Sequence, residues 1–434
     1  MTSKHLEIDQ ILQGKVDTIA FGGEGILKTE FGVVFVPFCL PDEEIEIKIT
    51  AVKKKYAKGQ ILRILNPSEK RIEGKCPHFM KCGGCQLQHS EYTYQVQLKK
   101  RFLKDCLERI ALQKKLPEII VTESPKNFAY RKRIEWSLHK DKESKVCVGT
   151  YRSLEKNRPS FKVESCPIFL ESNDFIVFLQ KELESLPLPE KVRSRLRIIQ
   201  HSPKSFTLLF HFKAFFRGFE SWAEKLSESN DYRLNICFSS PEMKGEINPW
   251  KKQYKFGEFS FSFSPFGFVQ NNFEASEKLY SELRDILKEK NKLYGLDLFS
   301  GVGISSLFLS SLSKKITSVE RSRHCCEEAE KNNAINKIEN VKVCCEDVYE
   351  FAKNNSFKPF DWVLLNPPRE GVRQPLLEKL KEVKKVIYVS CNPSTLSRDI
   401  KILCEEGGFR LSSIRLFDLF PQTTHLETLI VLKR

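Results

Sequence analysis

The 434-residue sequence lacks the long apolar runs that membrane proteins need. No stretch approaches the roughly 18 uninterrupted apolar residues of a membrane span, which excludes a membrane-spanning helix. The first residues, Met1 to Glu7, carry no apolar core of the kind found in a secretory signal peptide. Internal repeats and low-complexity tracts are absent as well. We therefore expect a cytoplasmic, monomeric, multidomain protein that makes no contact with a membrane.

Cysteine is too sparse for a disulfide scaffold, since 14 cysteines are spread over the whole chain and several fall inside predicted helices or strands. Without an export signal we expect reduced thiols, some of which bind a metal.

Acidic residues are outnumbered by basic ones. The chain has 71 Lys and Arg against 56 Asp and Glu, a net charge of +15. This excess favours a polyanionic partner, because neutralising phosphates supplies much of the affinity for nucleic acid. Many basic proteins bind no nucleic acid, so charge alone does not decide the partner.

The chain divides into three segments by the pattern of its apolar residues. Residues 1–67 hold about five short β-like runs with Gly-rich turns, typical of a small OB-type barrel, a frequent RNA-binding module. Residues 68–258 begin with a cysteine cluster and continue as an α+β domain, with a helix over 95–110 and a strand over 205–212. Residues 259–434 alternate strand and helix like a doubly wound sheet. In this last segment we predict strands over 295–299, 316–320, 341–344, 361–365, 386–389 and 428–432.

The tetrapeptide Ser390-Cys391-Asn392-Pro393 follows directly after the apolar run Val386–Val389, so a cysteine lies at the end of a predicted buried strand. The carboxyl ends of strands in open α/β sheets are where ligands bind. Glu427 stands just before the last predicted strand. A thiol and a carboxylate on neighbouring strand ends suit substitution at the unactivated C5 of a pyrimidine. Taken alone, Cys391 fits an inert buried cysteine equally well.

A glycine turn after the first of these strands predicts a cofactor site. Asp297 lies in that strand, and Gly301 and Gly303 follow it without completing a G-x-G-x-x-G pattern. Glu320 ends the second strand and Asp347 follows the third. Acids after three successive strands resemble the S-adenosylmethionine site of class I methyltransferases. A dehydrogenase would need a nicotinamide pocket, for which the sequence offers no residues.

The fourth strand ends in Asn366-Pro367-Pro368-Arg369. Asn-Pro-Pro followed by an aromatic residue is the signature of enzymes that methylate exocyclic amines, where the ring stacks on the base. Arg369 removes that ring, which argues against amine methylation.

Three cysteines with the spacing C-x5-C-x2-C, Cys76, Cys82 and Cys85, lie in a loop that also contains Gly83 and Gly84. With Cys166 they make four thiolates, which suit a [4Fe–4S] cluster or a structural zinc ion. The spacing alone does not choose between the two metals.

These residues together resemble the uracil-C5 RNA methyltransferases of the RlmD/TrmA type, and more closely their iron–sulfur branch, which acts on 23S ribosomal RNA. The resemblance covers nearly the whole chain. It implies an N-terminal TRAM domain, a central α+β iron–sulfur domain and a Rossmann-like class I methyltransferase domain that uses S-adenosylmethionine. It also implies that Cys76, Cys82, Cys85 and Cys166 hold a [4Fe–4S] cluster.

Further roles follow from the resemblance residue by residue. Cys391 matches the nucleophile and Glu427 the base. Phe268, in the F-x-Q-x-N segment, would line the pocket for the target base. The positions that match or fall close to cofactor-binding ones are Gln270, Phe299, Glu320 and Asp347. Because Tyr130-Arg131-Lys132-Arg133 is basic and aromatic, we also predict that Arg131 and Arg133 contact the RNA backbone; an exposed strand with solvated charges is the alternative.

The sequence departs from the family at two positions. The family usually has Asp where Asn366 stands, and often Asn where Ile304 stands. Asn366 keeps its hydrogen-bonding capacity but lacks the negative charge that would attract the cationic sulfonium. Two other functions stay open at this point: methylation of transfer RNA, and an RNA-binding assembly factor with weak or no turnover.

Overall fold

The computed structural model describes residues 6–141, 143–151, 159–170, 172–190, 194–250, 253–288 and 293–434. Three large sheets follow one another along this part of the chain. Among the described residues, no helix has the length and apolar character needed to cross a membrane.

The first sheet contains six strands within residues 6–141, in the order β1-β5-β6-β4-β3-β2. They are β1 (Ile11–Lys15), β2 (Thr18–Ile19), β3 (Glu24–Thr29), β4 (Gly32–Pro37), β5 (Glu44–Val52) and β6 (Ala57–Asn66). In β5, Ile45, Ile47 and Ile49 are buried on one face, as the two-residue period of a strand requires. The predicted short strands of residues 1–67 are confirmed.

The next two elements, helix α1 (Tyr92–Arg109) and strand β7 (Ile119–Thr122), belong spatially to the last sheet of the chain. The side chains of Leu98, Phe102 and Leu103 on α1 pack into the hydrophobic core of that sheet, and β7 is one of its two edge strands. The predicted segment 68–258 therefore contributes to two sheets.

The second sheet has seven strands within the described residues, in the order β10-β9-β8-β11-β12-β13-β14. The elements of this region are β8 (Arg133–Lys140), β9 (Val146–Tyr151), β10 (Pro159–Lys162), α2 (Asp174–Leu183), β11 (Ser194–Ser202), β12 (Ser205–Phe212), α3 (Phe219–Ser227), β13 (Arg233–Ser239) and β14 (Lys244–Ile247). The apolar faces of α2 and α3 pack on one side of the sheet in an aromatic-rich core. The predicted strand over 205–212 is confirmed.

The third sheet is mostly parallel and has helices on both faces. Its strands within the described residues run in the order β19-β18-β17-β20-β21-β23-β22-β7. Its elements, after the hairpin of β15 (Tyr254–Phe256) and β16 (Phe259–Phe261), are α4 (Phe273–Leu287), β17 (Leu293–Leu298), α5 (Ile304–Ser310), β18 (Ser313–Glu320), α6 (Arg323–Ile335), β19 (Val341–Cys345), α7 (Val348–Asn354), β20 (Trp362–Leu365), α8 (Gln374–Leu380), β21 (Lys385–Ser390), α9 (Pro393–Glu405), β22 (Arg410–Phe417) and β23 (Glu427–Lys433). The two faces carry separate hydrophobic cores.

All six predicted strands of this sheet are confirmed to within a few residues at each end. Strands β17 to β21 run parallel, and β23 runs antiparallel to β21. The first residue of β23 therefore lies at the same edge as the last residues of the parallel strands. The connection order reverses at β17, where crevices that bind ligands form in such sheets.

Candidate active site

Cys391 and Glu427 are brought together by the register of two paired strands. Ser390 of β21 and Thr428 of β23 are the last pair between these strands, and Cys391 and Glu427 are the residues that adjoin this pair. The negative charge of Glu427 acts on the Cys391 thiol. The structure thus gathers the two predicted catalytic side chains at the carboxyl edge of the sheet.

The Glu427 side chain is almost completely buried, and its Oε2 has no hydrogen-bond partner among the described residues. Burial raises the pKa of this carboxyl to about 8, although the nearby charge of Arg369 opposes the shift. Buried polar atoms are rarely left without a partner, and a carboxyl with a pKa near neutrality suits proton transfer. The burial and raised pKa of Glu427 are compatible with the predicted role of a base.

The thiol of Cys391 is half-buried. Burial, and then the charge of Glu427, raise its pKa, while the Arg369 guanidinium lowers it through its charge and a hydrogen bond to the thiol. Thiolate is the reactive form of cysteine, so the cation beside it matters for reactivity.

Arg369 lies beside the two predicted catalytic side chains, a position that the sequence did not predict. Its guanidinium acts on the pKa of Cys391 and of Glu427. Its main-chain oxygen accepts hydrogen bonds from Asn392 Nδ2 and Thr395 Oγ1, both at 3.0 Å, which fixes the loop against the residues that follow Cys391. The position of Arg369 after β20, the strand next to β21, is a signal in the sequence from which a place in this site could have been predicted.

The glycine turn has the geometry of a ligand cradle. Gly301 adopts a φ of +56°, and a Cβ at this position would meet no atom within 4 Å, so the turn faces open space. Its N–H donates to Glu320 Oε2 at 3.1 Å, while Ser322 N–H donates to the other carboxylate oxygen at 2.8 Å. The turn and the acid at the end of β18 are thus joined directly.

Asp297 is fully buried in β17. Its Oδ2 accepts hydrogen bonds from Ser305 Oγ at 2.6 Å and Ser306 Oγ at 2.7 Å, whereas Oδ1 has no partner in the described parts of the chain. Burial raises its pKa to about 6, and the two serine hydroxyls oppose that shift. An orphaned carboxylate oxygen beside an open glycine turn fits a polar ligand such as S-adenosylmethionine.

The other predicted cofactor residues surround the same edge. Phe299 has a φ of 60° and its ring contacts that of Tyr349, with centroids 6.2 Å apart. Asp347 caps α7, since its Oδ1 accepts from Tyr349 N–H at 2.9 Å. Asn366 N–H donates to Leu298 O at 3.3 Å, and Gln270 is half-buried in the loop before α4. Ile304, the second departure from the family, is buried in the hydrophobic core.

The predicted RNA contacts are only partly accessible. Tyr130 is buried and its hydroxyl donates to Pro421 O at 3.0 Å, so its ring is not available to RNA. Arg133 donates to Gly267 O at 3.0 Å, and its guanidinium lies 5.1 Å from the centre of the Phe268 ring. The Phe268 side chain is 61% exposed, so ring and cation together offer a stacking surface. Arg131 is half-buried, and its Nε finds no partner within the described chain.

The four predicted metal ligands are all free thiols. Cys85 and Cys166 share a small hydrophobic cluster, and the charges of Cys85, Cys82 and Cys76 all act on Cys166. Gly84 N–H donates to Cys82 Sγ at 3.3 Å. Nevertheless, no three His, Cys, Asp or Glu side chains of the described residues are arranged to hold a metal ion. The four thiols influence one another electrostatically, but their geometry does not establish a metal site.

Comparison with known protein families gives two matches. The profile of the tRNA (uracil-5-)-methyltransferase family matches residues 91–434, and that of the TRAM domain matches residues 14–62. The first match covers the sheet that carries Cys391, Glu427 and the glycine turn. The chain belongs to the tRNA (uracil-5-)-methyltransferase family.

Relatives of similar length support this membership. An uncharacterized RNA methyltransferase of Protochlamydia amoebophila is 32% identical over 435 residues, 99% of each chain. The 23S rRNA (uracil(1939)-C(5))-methyltransferase RlmD of Legionella pneumophila is 29% identical and covers 97% of this chain, with 96% of its own length matched. The fold resembles that of the Pyrococcus abyssi tRNA (uracil-54, C5)-methyltransferase in complex with S-adenosyl-L-homocysteine, with a TM-score of 0.75, 24% identity, and 97% and 99% of the two chains covered.

As a member of this family, the chain is an S-adenosylmethionine-dependent RNA uracil-C5 methyltransferase with an N-terminal TRAM domain. The predicted family and enzyme class are therefore confirmed. The individual roles of the site residues, the iron–sulfur cluster and the RNA that is methylated stay predictions.

Proposed function

We propose that this enzyme methylates C5 of a uridine in 23S ribosomal RNA through a covalent bond between Cys391 and C6 of the base. The observation that carries the mechanism is that Cys391 and the buried Glu427 adjoin the same last strand pair, with the charge of Glu427 acting on the thiol and its Oε2 unpartnered among the described residues. The substrate proposal is supported by the nearly full-length likeness to the Legionella 23S rRNA enzyme.

The chemistry needs both groups because C5 of uracil is too weakly nucleophilic to take a methyl group unaided. The Cys391 thiolate adds to C6, which makes C5 an enolate carbon. S-adenosylmethionine, when bound, supplies the electrophilic methyl group. Glu427 then removes the proton from C5, the C5–C6 double bond re-forms, and the thiolate leaves. The target base must be unstacked to reach Cys391, and Phe268 beside Arg133 offers a surface for it.

The experiment that tests the reaction and the substrate is mapping of 5-methyluridine in ribosomal and transfer RNA. Cells that lack the gene should lose the modification from 23S rRNA and regain it when the wild-type gene returns. Loss of 5-methyluridine from tRNA alone would show that tRNA, and not 23S rRNA, is the substrate. No loss from either RNA, and no transfer by purified enzyme, would favour the assembly-factor alternative.

Proton removal should depend on pH because the pKa of Glu427 is raised to about 8. Only the ionised carboxyl acts as a base, so raising the pH increases the active fraction until the pKa is passed. We expect adduct breakdown to accelerate about tenfold per pH unit below about 8 and then to level off. A pH jump on preformed adduct measures this step without the ionisation of Cys391. A rate that does not vary between pH 6 and 8 would contradict the assignment.

We further propose that Cys76, Cys82, Cys85 and Cys166 hold a [4Fe–4S] cluster with a structural role. The mutual electrostatic effects of the four free thiols and the Gly84 N–H that donates to Cys82 Sγ support this proposal. Thiolates are the usual ligands of such clusters, and hydrogen bonds to sulfur stabilise them. A structural zinc ion is the alternative.

Anaerobically purified enzyme should therefore be brown and contain iron and acid-labile sulfide in equal amounts. Replacing Cys82 with serine should remove the colour and lower both thermal stability and RNA affinity, whereas the same change at the exposed Cys345 should alter none of them. A colourless, zinc-containing and fully active enzyme would contradict the cluster. Normal stability of a cluster-free variant would contradict its structural role.

A further inference from the structure

The loop that leads into Glu427 is attached to distant parts of the chain. We call residues 418–426 the base loop. Asp418 and Phe420 accept hydrogen bonds from Lys99 Nζ, at 2.6 Å and 2.9 Å, and Lys99 and Asp418 are both fully buried. Tyr130 reaches Pro421 from a third segment. The base loop is therefore positioned from outside its own sheet.

Gln422 is the centre of these attachments. Its main-chain oxygen accepts from Gln86 N–H at 3.1 Å and Leu87 N–H at 3.0 Å, and its own N–H donates to Gln95 Oε1 at 2.9 Å. Its side-chain Oε1 accepts from Gln95 Nε2 at 3.0 Å, while Nε2 donates to Asn127 O at 3.2 Å. Every polar group of this residue, on main chain and side chain, has a partner.

The side-chain amide of Gln95 also has a hydrogen-bond partner for each of its polar atoms. Its Nε2 is within hydrogen-bonding distance of Leu87 O at 3.0 Å and Ser90 O at 2.9 Å as well as Gln422 Oε1, so its two N–H groups are shared among three acceptors. Gln95 is fully buried, and Gln422 is 2% exposed. Buried polar networks that are fully satisfied make the surrounding chain rigid.

The backbone conformation of Gln422 is strained, which indicates that the surrounding contacts hold it in place. Its φ is 69°, in the left-handed region that favours glycine and that a long side chain rarely adopts. Such strain persists only where the surrounding structure determines it, and it concentrates at functional sites. The strained residue lies five positions before Glu427, between the Gln95 network and the proposed base.

We propose that Gln95 and Gln422 are positioning residues for the proposed base. Through the base loop they hold the Glu427 carboxyl where it can reach the proton on C5 after the methyl group has been transferred. Neither residue touches the RNA or the cofactor in this proposal. The inference rests on the proposed covalent mechanism, and it assigns a role to a network that the chemistry itself does not use. Small displacements of a catalytic group cost large factors in rate, so the network should matter most in the step that Glu427 performs.

The test is Gln95→Ala in single-turnover reactions with RNA that carries tritium at uracil C5. Adduct formation and methyl transfer should stay within a few-fold of wild type, whereas tritium release should fall by about tenfold or more. A denaturant-resistant RNA–protein complex should therefore accumulate during turnover. Gln422→Gly, which keeps the main-chain hydrogen bonds, should show the same accumulation to a smaller degree and covers the case that Gln95→Ala does not fold.

Gln180→Ala is the matched control. Gln180 is also a buried glutamine, 4% exposed, whose Nε2 donates to Val148 O at 3.1 Å and Val163 O at 2.8 Å, but it lies on α2, which packs on the second sheet, and within the described chain it makes no hydrogen bond to the base loop. This variant should lose stability without accumulating adduct. Equal slowing of all steps in Gln95→Ala and Gln422→Gly, with no adduct, would overturn the inference.

A parallel reaction with Glu427→Gln separates this inference from the mechanism on which it rests. If Glu427→Gln traps an adduct and the glutamine variants do not, only the positioning role fails. If Glu427→Gln traps nothing either, the covalent mechanism itself fails.

Discussion

Replacing Cys391 with alanine is expected to abolish methylation, with a loss in turnover of more than about 10⁴-fold, because the proposed mechanism activates C5 through the Cys391 thiolate. The thiol is half-buried at the end of β21, so its loss should leave folding and cofactor binding nearly intact. The measurement is transfer of labelled methyl groups to uridine-containing RNA, together with thermal unfolding and binding of S-adenosyl-L-homocysteine.

Cys404→Ala provides the comparison for this result. Cys404 is a half-buried free thiol on α9, the helix that follows Cys391, and burial raises its pKa to about 11. Its replacement should leave methylation close to wild type. Appreciable turnover by Cys391→Ala, after contamination by host enzyme has been excluded, would remove the covalent route from consideration.

Replacing Glu427 with glutamine should instead trap the enzyme on its RNA. Glutamine has nearly the same shape as glutamate but cannot remove the proton from C5. The thiolate can still add and the methyl group can still be transferred, but the elimination that releases the thiolate stops. We expect a stoichiometric complex that survives denaturing electrophoresis and forms only when both RNA and S-adenosylmethionine are present.

The double variant Cys391→Ala with Glu427→Gln controls for this outcome, because it retains the altered base but has no nucleophile. It should form no denaturant-resistant complex. Normal multiple turnover by Glu427→Gln would show that another group removes the proton; His425 is a poor candidate, because burial and nearby cations lower its pKa to about 4.

The sequence was most informative where function and local pattern coincide. Parallel strands that are covered on both faces have continuous apolar sequences, so β20 and β21 could be predicted from the sequence. Cys391 could be assigned to a strand end for the same reason. Edge elements were less visible: β22 alternates polar and apolar residues, β7 is short and follows a different segment, and neither strand was predicted.

Features that depend on contacts between distant residues could not be predicted. The hydrogen bond between Gln95 and Gln422 spans 327 positions, and no local pattern records it. In the sequence, Arg369 stands out only as the replacement of an aromatic residue. Its effect on the Cys391 thiol depends on the folding that brings the two residues together. Tyr130 looked like part of an exposed basic segment, yet its ring is buried and its hydroxyl bonds to the base loop.

The measurement that tests the central claim most directly is peptide mapping of the complex formed by Glu427→Gln after nuclease and protease digestion. We expect one modified peptide, which contains Cys391 and carries a uridine nucleotide with one additional methyl group. A complex attached at any other residue, an attached nucleotide without the methyl group, or no complex despite normal RNA and cofactor binding would contradict it.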